Sequence, residues 1–507
     1  MKLDIKQNAK KGMKFGFLYR LIATVMSFLV QTVFIRQLGI DYAGLKGLFS
    51  SILTVFSLAE LGFGSAIVFS MYRPIAEENE SELCALLNLY KKIYRIIGIV
   101  IFVLSIAIIP FLSRLVKGEY PLDINIHVVF LLFVIQTVLS YWMFSYKTSL
   151  LQAYQRNDVI NLIGLIITFA TSVSQIILLV FFKSIYAYLI VAIIFVVINN
   201  LAINIITERL YPDIHCSGMI KPALLREIKK RVLGVFIGKV CDTTRNTFDS
   251  IFISSFIGLS QTGIYTNYFY ILTALNTFTS VISSSLLAGV GNRIILESKK
   301  RNFEDMMKIN KMYLILSGWI SVCMLCLYQP FMTLWIGNNY LFPNYVMVLF
   351  PIYFYIQKMG DVRGIYSDAA GLFWENRWRT IAETVANLIL NFALVKLLGV
   401  FGILLATIIN LFFIGFLGST QVIFKYYFDD GKREYLFNEA KYLLITVFVG
   451  LVTYVISEYI SVSNLWALLG IRIVLCLTVV PVLYACIFWY GNDYYEIKGC
   501  IDKVVKR

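Results

Sequence analysis

The sequence has little charge for its length and almost no histidine. Only 15% of its 507 residues are charged, whereas a soluble domain carries about a quarter. Its two histidines are His127 and His215. No Gly-x-x-x-x-Gly-Lys-Ser/Thr segment supplies a phosphate cradle for ATP. These absences argue against a soluble enzyme, against ATP hydrolysis by the chain itself and against metal chemistry, so we expect no cofactor.

The sequence indicates neither a disulfide framework nor a cleavable signal peptide. Eight cysteines are spread over the chain. Cys323-x-x-Cys326 has the spacing of a metal or redox motif, but it lies in an apolar segment, and we interpret it as packing. The first apolar run is long enough to span a membrane and lacks a small-residue cleavage site, which predicts that it is retained.

Long apolar segments dominate the sequence. The chain is 59% hydrophobic, with a mean hydropathy of +0.75. Its apolar runs are long enough to cross a bilayer core of about 30 Å, and they do not alternate as barrel strands do. The pattern predicts an all-α polytopic membrane protein with about fourteen transmembrane helices. The predicted spans are 15–36, 46–70, 93–116, 126–150, 159–182, 185–206, 233–257, 262–290, 309–335, 344–366, 380–398, 400–424, 441–460 and 465–490.

The net charge of +15 follows the predicted topology. If the N-terminus is cytoplasmic, the cytoplasmic segments hold 33 of the 45 Lys and Arg residues, and the outer segments hold 6. The other 6 lie within spans. This positive-inside bias predicts a multi-pass membrane protein with both termini cytoplasmic. The distribution disfavours nucleic acid as a partner and favours contact with membrane lipids.

A shift of 219 residues overlays the first part of the chain on its middle. Gly39 and Gly44 fall on Gly258 and Gly263, and Lys92 and Tyr94 fall on Lys311 and Tyr313. Six spans return the chain to the same side, so the two repeats would be parallel. We therefore predict a six-helix bundle over 1–206, a second over 207–424, and an extra helix pair with a cytoplasmic tail over 425–507.

Two cytoplasmic segments, one in each repeat, are predicted to link helices within their bundle. Residues 74–90 have acidic residues followed by spaced leucines, which is typical of an amphipathic helix at the membrane interface. Its counterpart in the second repeat is 301–313.

Charged residues inside predicted spans are the candidate functional residues, because each costs roughly 2.5–3.5 kcal/mol at bilayer depth. In the seventh span, spacings of 3, 3 and 4 place Lys239, Asp242, Arg245 and Asp249 on one helical face. The face can line a transport pathway, or it can be a structural ladder of ion pairs. Arg20 falls on Lys239 under the repeat, and it can bind an anion or extend harmlessly to the headgroups.

Further candidates lie in the second, tenth and eleventh spans. Glu60 lies mid-span, and it either lines the pathway or pairs structurally. Lys358 and Asp361 are three residues apart and could neutralise each other, with Arg363 nearer the cytoplasm. Glu383 begins an i, i+4, i+8 polar stripe completed by two asparagines, and such stripes often join membrane helices. The asparagines are Asn387 and Asn391.

Several short segments occur in a specific order along nearly the whole chain. They are RQLGIDYAGL (36–45), LAELGFGSAI (58–67), YRPIA (72–76), DSIFISSFIGL (249–259), GIYTNY (263–268), AGVGN (288–292), GLFW (371–374) and GVFGI (399–403), with Glu383 and Asn387. Together they resemble the pattern of bacterial polysaccharide-transport flippases. These exporters of capsule and O-antigen repeat units belong to the multidrug/oligosaccharidyl-lipid/polysaccharide superfamily.

The resemblance implies a flippase rather than an enzyme. It implies that the chain moves a short oligosaccharide on a polyprenyl diphosphate from the inner to the outer leaflet by alternating access, for surface polysaccharide synthesis. Family members carry a cationic central cavity, which Arg20, Lys239, Arg245, Lys358 and Arg363 could supply. A polysaccharide polymerase and other assembly proteins are possible partners. Lipid II flippases and cation-coupled multidrug antiporters share the fold and remain alternatives, as do a membrane glycosyltransferase or polymerase and a non-transporting scaffold.

Overall fold

The computed structural model describes residues 5–60, 63–117, 120–121, 123–220 and 222–488. Within these residues the secondary structure is helical, and no strand occurs. The predicted all-α fold of a multi-pass membrane protein is confirmed in this part of the chain.

The described residues form nineteen α-helices joined by short connections. Three connections are 3₁₀ turns, at Ser57–Glu60, Ile109–Phe111 and Asn338–Tyr340, and two segments, Leu411–Gly418 and Phe424–Phe428, are π-helical. The α-helices are α1 (Ile5–Leu38), α2 (Ile40–Phe56), α3 (Phe63–Ala76), α4 (Glu80–Ile108), α5 (Leu112–Leu115), α6 (Ile126–Trp142), α7 (Tyr146–Ala153), α8 (Asn157–Phe182), α9 (Ile185–Leu210), α10 (Pro222–Phe256), α11 (Leu259–Leu296), α12 (Lys299–Ile336), α13 (Asn344–Met347), α14 (Leu349–Met359), α15 (Asp361–Ala369), α16 (Phe373–Asn410), α17 (Ser419–Ile423), α18 (Lys432–Tyr459) and α19 (Leu465–Phe488).

Broken helices account for much of the difference between predicted and observed spans. Of the described helices, 8 are long and apolar enough to cross a membrane, or 9 if the pair α6 and α7, bent by 45°, is one span. The predicted span 46–70 is interrupted after Phe56 by a 3₁₀ turn, and the span 344–366 is interrupted at Gly360. The predicted number of about fourteen spans therefore stays a prediction.

The helix starts coincide under the 219-residue shift. Helix α2 begins at Ile40 and α11 at Leu259, and each follows a glycine with positive φ, 103° at Gly39 and 138° at Gly258. L-residues with a side chain rarely adopt this conformation, so glycine is the residue that each turn requires.

The caps of two further helices also coincide. Helix α4 begins after Asn79, whose side chain accepts the backbone N–H of Glu82 at 3.1 Å. Helix α12 begins after Ser298, whose hydroxyl accepts the N–H of Arg301 at 3.3 Å. Both caps satisfy an amide that the helix leaves unpaired. Asn79 and Ser298 are 219 residues apart, so the repeat extends to local hydrogen bonding.

The predicted interfacial helices at 74–90 and 301–313 are wrong as separate elements. Helix α3 continues to Ala76, and α4 starts at Glu80 and runs without a break to Ile108. Leu83, Leu86 and Leu87 are buried in protein. In the second repeat, 301–313 is the first part of α12. The amphipathic pattern marks the face of a long helix that is buried in protein. A helix at the membrane interface would show the same pattern, so the sequence does not distinguish the two.

Helix α16 folds back on itself, as the adjacent predicted spans 380–398 and 400–424 require. Gly399 has φ 60° and ψ −136°, which breaks the helical path. After the break, a Cβ on Gly402 would overlap the carbonyl group of Leu394. Farther from the turn, Asn387 Nδ2 donates to Thr407 Oγ1 at 3.2 Å. The asparagine stripe thus joins the two arms of the hairpin.

The chain divides into two compact units, Met1–Thr266 and Asn267–Arg507. In the first unit, α10 packs on α2 and α3. For this reason the unit extends past the predicted bundle end at 206. The two compact units are defined by packing in the structure, whereas the predicted bundles were defined by the sequence repeat. The division into 1–206, 207–424 and 425–507 stays a prediction.

The C-terminal helix pair shares a core with α12 in the second unit. The side chains of Thr446 and Tyr484 are hydrogen bonded at 2.9 Å and occupy the space beside Gly318, where a Cβ would meet the Thr446 hydroxyl at 2.5 Å. Trp319 Nε1 donates to the carbonyl oxygen of Cys476 at 2.9 Å. Helices α18 and α19 are therefore integral to this unit.

Candidate functional site

The first unit contains a carboxylate held by phenols. Glu60 lies at the end of the 3₁₀ turn, and its Oε1 accepts a hydrogen bond from the Tyr94 hydroxyl. Its Oε2 accepts the Tyr141 hydroxyl at 2.5 Å. The Tyr90 hydroxyl donates to that of Tyr94 at 2.8 Å. The break in the second predicted span thus presents Glu60 to α4 and α6, and each carboxylate oxygen has a phenol donor.

A cavity of about 610 Å³ adjoins this carboxylate. Tyr90, Tyr94 and Glu60 are among its lining residues. Its other lining residues are Gly64, Val68, Phe69, Tyr72, Ser145, Thr148, Ser149, Gln152 and Asn157. The cavity combines aromatic rings, hydroxyls and amides around a single carboxylate. Its volume lies within the range of about 300–1,000 Å³ typical of small-molecule sites.

Stacking and charge hold the chain beside Asn157 in place. The rings of Tyr154 and Tyr211 stack with centroids 4.1 Å apart. Arg156 Nε and Nη2 donate to the two carboxylate oxygens of Asp158 at 2.9 and 3.1 Å. The Asp158 contact raises the pKa of Arg156, and burial raises the pKa of Tyr211 to about 12. One rim of the cavity is therefore fixed between α7 and α8.

The second unit has a related but neutralised carboxylate. Asp361 Oδ2 accepts the Tyr313 hydroxyl at 2.6 Å and Lys358 Nζ at 3.0 Å. Lys358 is 5% exposed, and its ammonium group lies 5.7 Å from the centroid of the Phe354 ring. The ion pair expected between Lys358 and Asp361 is present. It lies where Gly360 separates α14 from α15.

Arg363 joins two segments of the second unit. It is 5% exposed, and its Nη1 donates to the carbonyl oxygen of Phe416 at 2.8 Å and to Thr420 Oγ1 at 2.5 Å. Its guanidinium lies 5.2 Å from the centroid of the Phe416 ring. These contacts hold α15 against the π-helical segment and α17. They give Arg363 a structural position, and its predicted pathway role stays a prediction.

Glu383 is buried and forms an ion pair with Arg379 one turn earlier in α16. Sequence analysis did not single out Arg379. A Cβ on Gly415 would lie 3.4 Å from Glu383 Oε1, so the second arm of the hairpin packs against this carboxylate. The pair compensates the charge of Glu383 within the hairpin.

The four-residue stripe of α10 does not lie in one environment throughout. Lys239 is exposed. Asp249 is 2% exposed, and its Oδ2 accepts the Tyr265 hydroxyl at 2.9 Å. The side chains of Asp242 and Arg245 lie outside the described residues. Arg20 on α1 is exposed, as Lys239 is at the equivalent repeat position. Both the pathway and the ladder interpretations of the stripe stay hypotheses.

Two glycines of the repeat meet within the first unit. A Cβ on Gly44 would overlap the carbonyl group of Leu259, and a Cβ on Gly263 would overlap the carbonyl oxygen of Ile40. Each such Cβ would also lie 3.2 Å from the other glycine's nitrogen. Ile40 and Leu259 are themselves 219 residues apart. The first turns of α2 and α11 therefore pack reciprocally, backbone against backbone.

Several buried polar residues escaped sequence analysis. Tyr94 and Tyr313 were aligned by the repeat, and this alignment was a usable signal that both serve the same purpose. Glu439 on α18 is 1% exposed, and its Oε1 accepts Asn310 Nδ2 at 2.8 Å. It was missed because the predicted thirteenth span began after it, at 441. Among the described residues, no group of three His, Cys, Asp or Glu side chains is arranged to hold a metal ion.

Solved structures of membrane transporters have the same fold as this chain. The lipid II flippase MurJ in an inward closed conformation matches with 15% identity and a TM-score of 0.67, over 94% of this chain and 99% of its own. The Vibrio cholerae MATE transporter VcmN, in a mutant form, matches with 14% identity and a TM-score of 0.57, over 86% and 100%.

An inward-facing multidrug resistance MATE family transporter of the MOP superfamily matches with 13% identity and a TM-score of 0.57, over 81% and 97%. No protein-family model matches the chain, and no curated protein sequence matches it. At these identities the likeness concerns the fold. The chain has the fold that the lipid II flippase MurJ shares with the MATE transporters.

Proposed function

We propose that the chain is a flippase for oligosaccharide repeat units linked to a polyprenyl diphosphate. It moves the sugar and diphosphate from the inner to the outer leaflet of the bacterial cytoplasmic membrane, by alternating access, for the synthesis of a surface polysaccharide. It acts as a transporter and not as an enzyme. Both termini are cytoplasmic in this proposal, and the two six-helix bundles move against each other.

The observation that carries the proposal is likeness in fold to a lipid flippase over almost the full length of both chains. The match extends over 94% of this chain, against 86% and 81% for the two MATE transporters. The TM-score is also higher, at 0.67 against 0.57 for both MATE transporters, and this likeness to a lipid flippase supports a lipid-linked substrate in our proposal. The sequence resemblance to polysaccharide-transport flippases favours a repeat unit over lipid II.

Exposed cations at equivalent positions support an anionic substrate. A diphosphate head carries at least two negative charges and cannot cross hydrocarbon unaided. Arg20 and Lys239 are both exposed, on α1 and α10. Charge-assisted hydrogen bonds from such groups bind phosphate oxygens strongly. In this proposal the two cations capture the diphosphate on the cytoplasmic side.

Charge reversal at these two positions tests the proposal. In cells that depend on the chain for surface polysaccharide, Arg20→Glu and Lys239→Glu should each abolish export while the membrane protein level stays normal. Lipid-linked repeat units should accumulate on the inner leaflet. Arg20→Lys should retain part of the activity. The positive charge is kept, but lysine cannot form the bidentate hydrogen bonds of arginine. Lys183→Glu, an exposed cation at the end of α8, is the matched control and should export normally.

Two results would redirect the assignment. Wild-type surface polysaccharide in both reversed variants would contradict capture of the diphosphate by these cations. Rescue of a strain depleted of its lipid II flippase, with no effect on surface polysaccharide, would identify lipid II as the substrate.

A further inference from the structure

The cavity beside Glu60 differs in chemistry from a site for diphosphate. Among its described lining residues there is no lysine or arginine, and the single formal charge is the negative one of Glu60. Phosphate sites in proteins are built from cations and backbone N–H groups. A carboxylate in a partly enclosed cavity would repel a diphosphate. The cavity is therefore suited to a different part of the substrate, or to a different ligand.

The polar side chains of the cavity form a neutral hydrogen-bonding surface. Thr148, Ser149 and Gln152 on α7 line the cavity with two hydroxyls and an amide; Ser149 is buried and Gln152 is exposed. Asn157, at the start of α8, contributes a second exposed amide. Hydroxyls and amides both donate and accept, so they match groups that do the same, such as the hydroxyls of a sugar.

Aromatic rings line the same cavity. Phe69 and Tyr72 on α3 are exposed, with ring centroids 6.0 Å apart in an edge-to-face arrangement. Aromatic rings offer flat apolar surface with polar edges, which complements the C–H faces of a pyranose. An aromatic surface together with amides and hydroxyls gives the cavity two kinds of contact that a polyhydroxylated ring can use at once.

The phenols determine what Glu60 can still bind. Each of its carboxylate oxygens already accepts one phenolic hydroxyl, from Tyr94 and from Tyr141. The charge is thus spread over a hydrogen-bonded cluster, and the remaining lone pairs can accept hydroxyl donors. This compensation weakens attraction for an organic cation and leaves acceptors for a neutral polyol.

We propose that this cavity binds sugar residues of the lipid-linked oligosaccharide, while the diphosphate is bound by cations elsewhere. The proposal rests on the proposed flippase function and adds a subsite to it. The sugar is recognised by Gln152, Asn157 and the α7 hydroxyls, with the ring against Phe69 and Tyr72. Glu60 accepts a sugar hydroxyl, held in place by its two tyrosines. This subsite separates recognition of the sugar from recognition of the diphosphate.

Two lipid probes separate the sugar subsite from the function as a whole. Purified protein in nanodiscs is titrated with lipid-linked repeat units extracted from the producing cells, and separately with sugar-free undecaprenyl diphosphate. Wild-type protein is expected to bind the glycosylated lipid at least about tenfold more tightly. The double variant Gln152→Ala, Asn157→Ala should reduce the ratio to about threefold or less and leave binding of undecaprenyl diphosphate unchanged.

Control variants keep the result interpretable. Gln152→Ala alone changes one exposed residue and should show an intermediate affinity ratio. It replaces the double variant in the test if the double variant fails to fold. Gln421→Ala removes an exposed amide from α17, outside the cavity, and should keep the wild-type ratio. A sugar contact that is lost with Gln152 and retained without Gln421 supports the subsite.

Three results would overturn the proposal. Equal affinity of wild-type protein for both lipids removes the sugar subsite and leaves the flippase function standing. Binding of neither lipid contradicts the flippase function, and the subsite falls with it. Tight binding of tetraphenylphosphonium that is abolished by Gln152→Ala, Asn157→Ala would identify the cavity as a site for organic cations.

Discussion

In each repeat, a tyrosine at the equivalent position donates a hydrogen bond to a carboxylate, but the two carboxylates lie on different, non-equivalent segments. Tyr94 and Tyr313 are 219 residues apart, and each donates to an acid, Glu60 in the first repeat and Asp361 in the second. At the repeat position of Glu60 the second half has Thr279, which is buried. The tyrosine donor is at the same repeat position in both halves. The carboxylate acceptor is in the second predicted span in the first half and in the tenth predicted span in the second half.

The two carboxylates also differ in charge compensation. Glu60 is held by two phenols beside a cavity, whereas Asp361 is paired with Lys358. A paired carboxylate has little remaining capacity to bind a ligand, while one held by neutral donors can accept further hydrogen bonds. The comparison teaches that similar local geometry serves a candidate binding site in one half and internal cohesion in the other.

The largest expected effect is on the reciprocal contact of Gly44 and Gly263, which occupy equivalent positions in the two repeats. Gly44→Ala should lower the free energy of unfolding by about 3 kcal/mol, because the methyl group would overlap the Leu259 carbonyl. Gly263→Ala should cost a similar amount through Ile40. Denaturant titration in mixed micelles measures both. Gly291→Ala is the control, since no described atom lies within 4 Å of its added Cβ. A stability for Gly44→Ala equal to that of the control would contradict the reciprocal contact.

Removing the buried lysine tests whether the second carboxylate depends on its ion pair. Lys358→Met should lower the free energy of unfolding by about 2 kcal/mol, because Asp361 would lose its cationic partner and keep only the Tyr313 hydroxyl. The same titration measures it. The double variant Lys358→Met, Asp361→Asn should recover most of the loss. Failure of the double variant to recover would mean that packing of the lysine stem, rather than its charge, stabilises this region.

Matched tyrosine substitutions compare the two sites directly. Tyr94→Phe should cost about 1.5 kcal/mol, because Glu60 loses one of its two phenol donors. Tyr313→Phe should cost about half as much, because Asp361 keeps Lys358. Unfolding titrations of the pair give the difference. Equal losses would show that the two sites depend on their tyrosines to the same degree.

The smallest expected effect concerns the two helix caps. Asn79→Ala and Ser298→Ala should each cost about 1 kcal/mol or less, because one backbone N–H loses its side-chain acceptor. Hydrogen exchange should quicken in the first turn of α4 or α12 and stay unchanged elsewhere. Glu304→Ala, a partly exposed residue on α12, is a control with little expected effect. Quickened exchange along the whole helix would indicate a wider role for the cap.

Much of the fold was accessible from the sequence because membrane helices follow simple rules. Long apolar runs located the helices, and the spacing of Gly39 and Gly258 located the repeat. The breaks were not predicted, because a 3₁₀ turn at Ser57–Glu60 leaves the hydropathy of its segment unchanged. The buried leucines after Asn79 were misassigned to an interfacial helix, because an amphipathic face does not state whether protein or lipid covers it.

The candidate site was harder to predict than the fold. Charged residues in apolar runs were conspicuous, so Glu60, Lys358 and Asp361 were found. Their partners are tyrosines, which are abundant in this chain at 32 residues and are common at membrane interfaces. Nothing local in the sequence distinguishes Tyr94 or Tyr141 from the rest. The packing of α4 and α6 on the end of α2 selects them, and of the two only Tyr94 was also marked by the sequence repeat.

The reciprocal glycine contact has the geometry of an isologous interface, in which two copies of one surface face each other about a twofold axis. Such an interface between separate subunits must overcome the entropy of association. Here the two surfaces belong to one chain, so their effective concentration is set by the intervening residues rather than by the amount of protein. A small patch of backbone can therefore hold the first turns of α2 and α11 together without the large buried area that separate subunits would need.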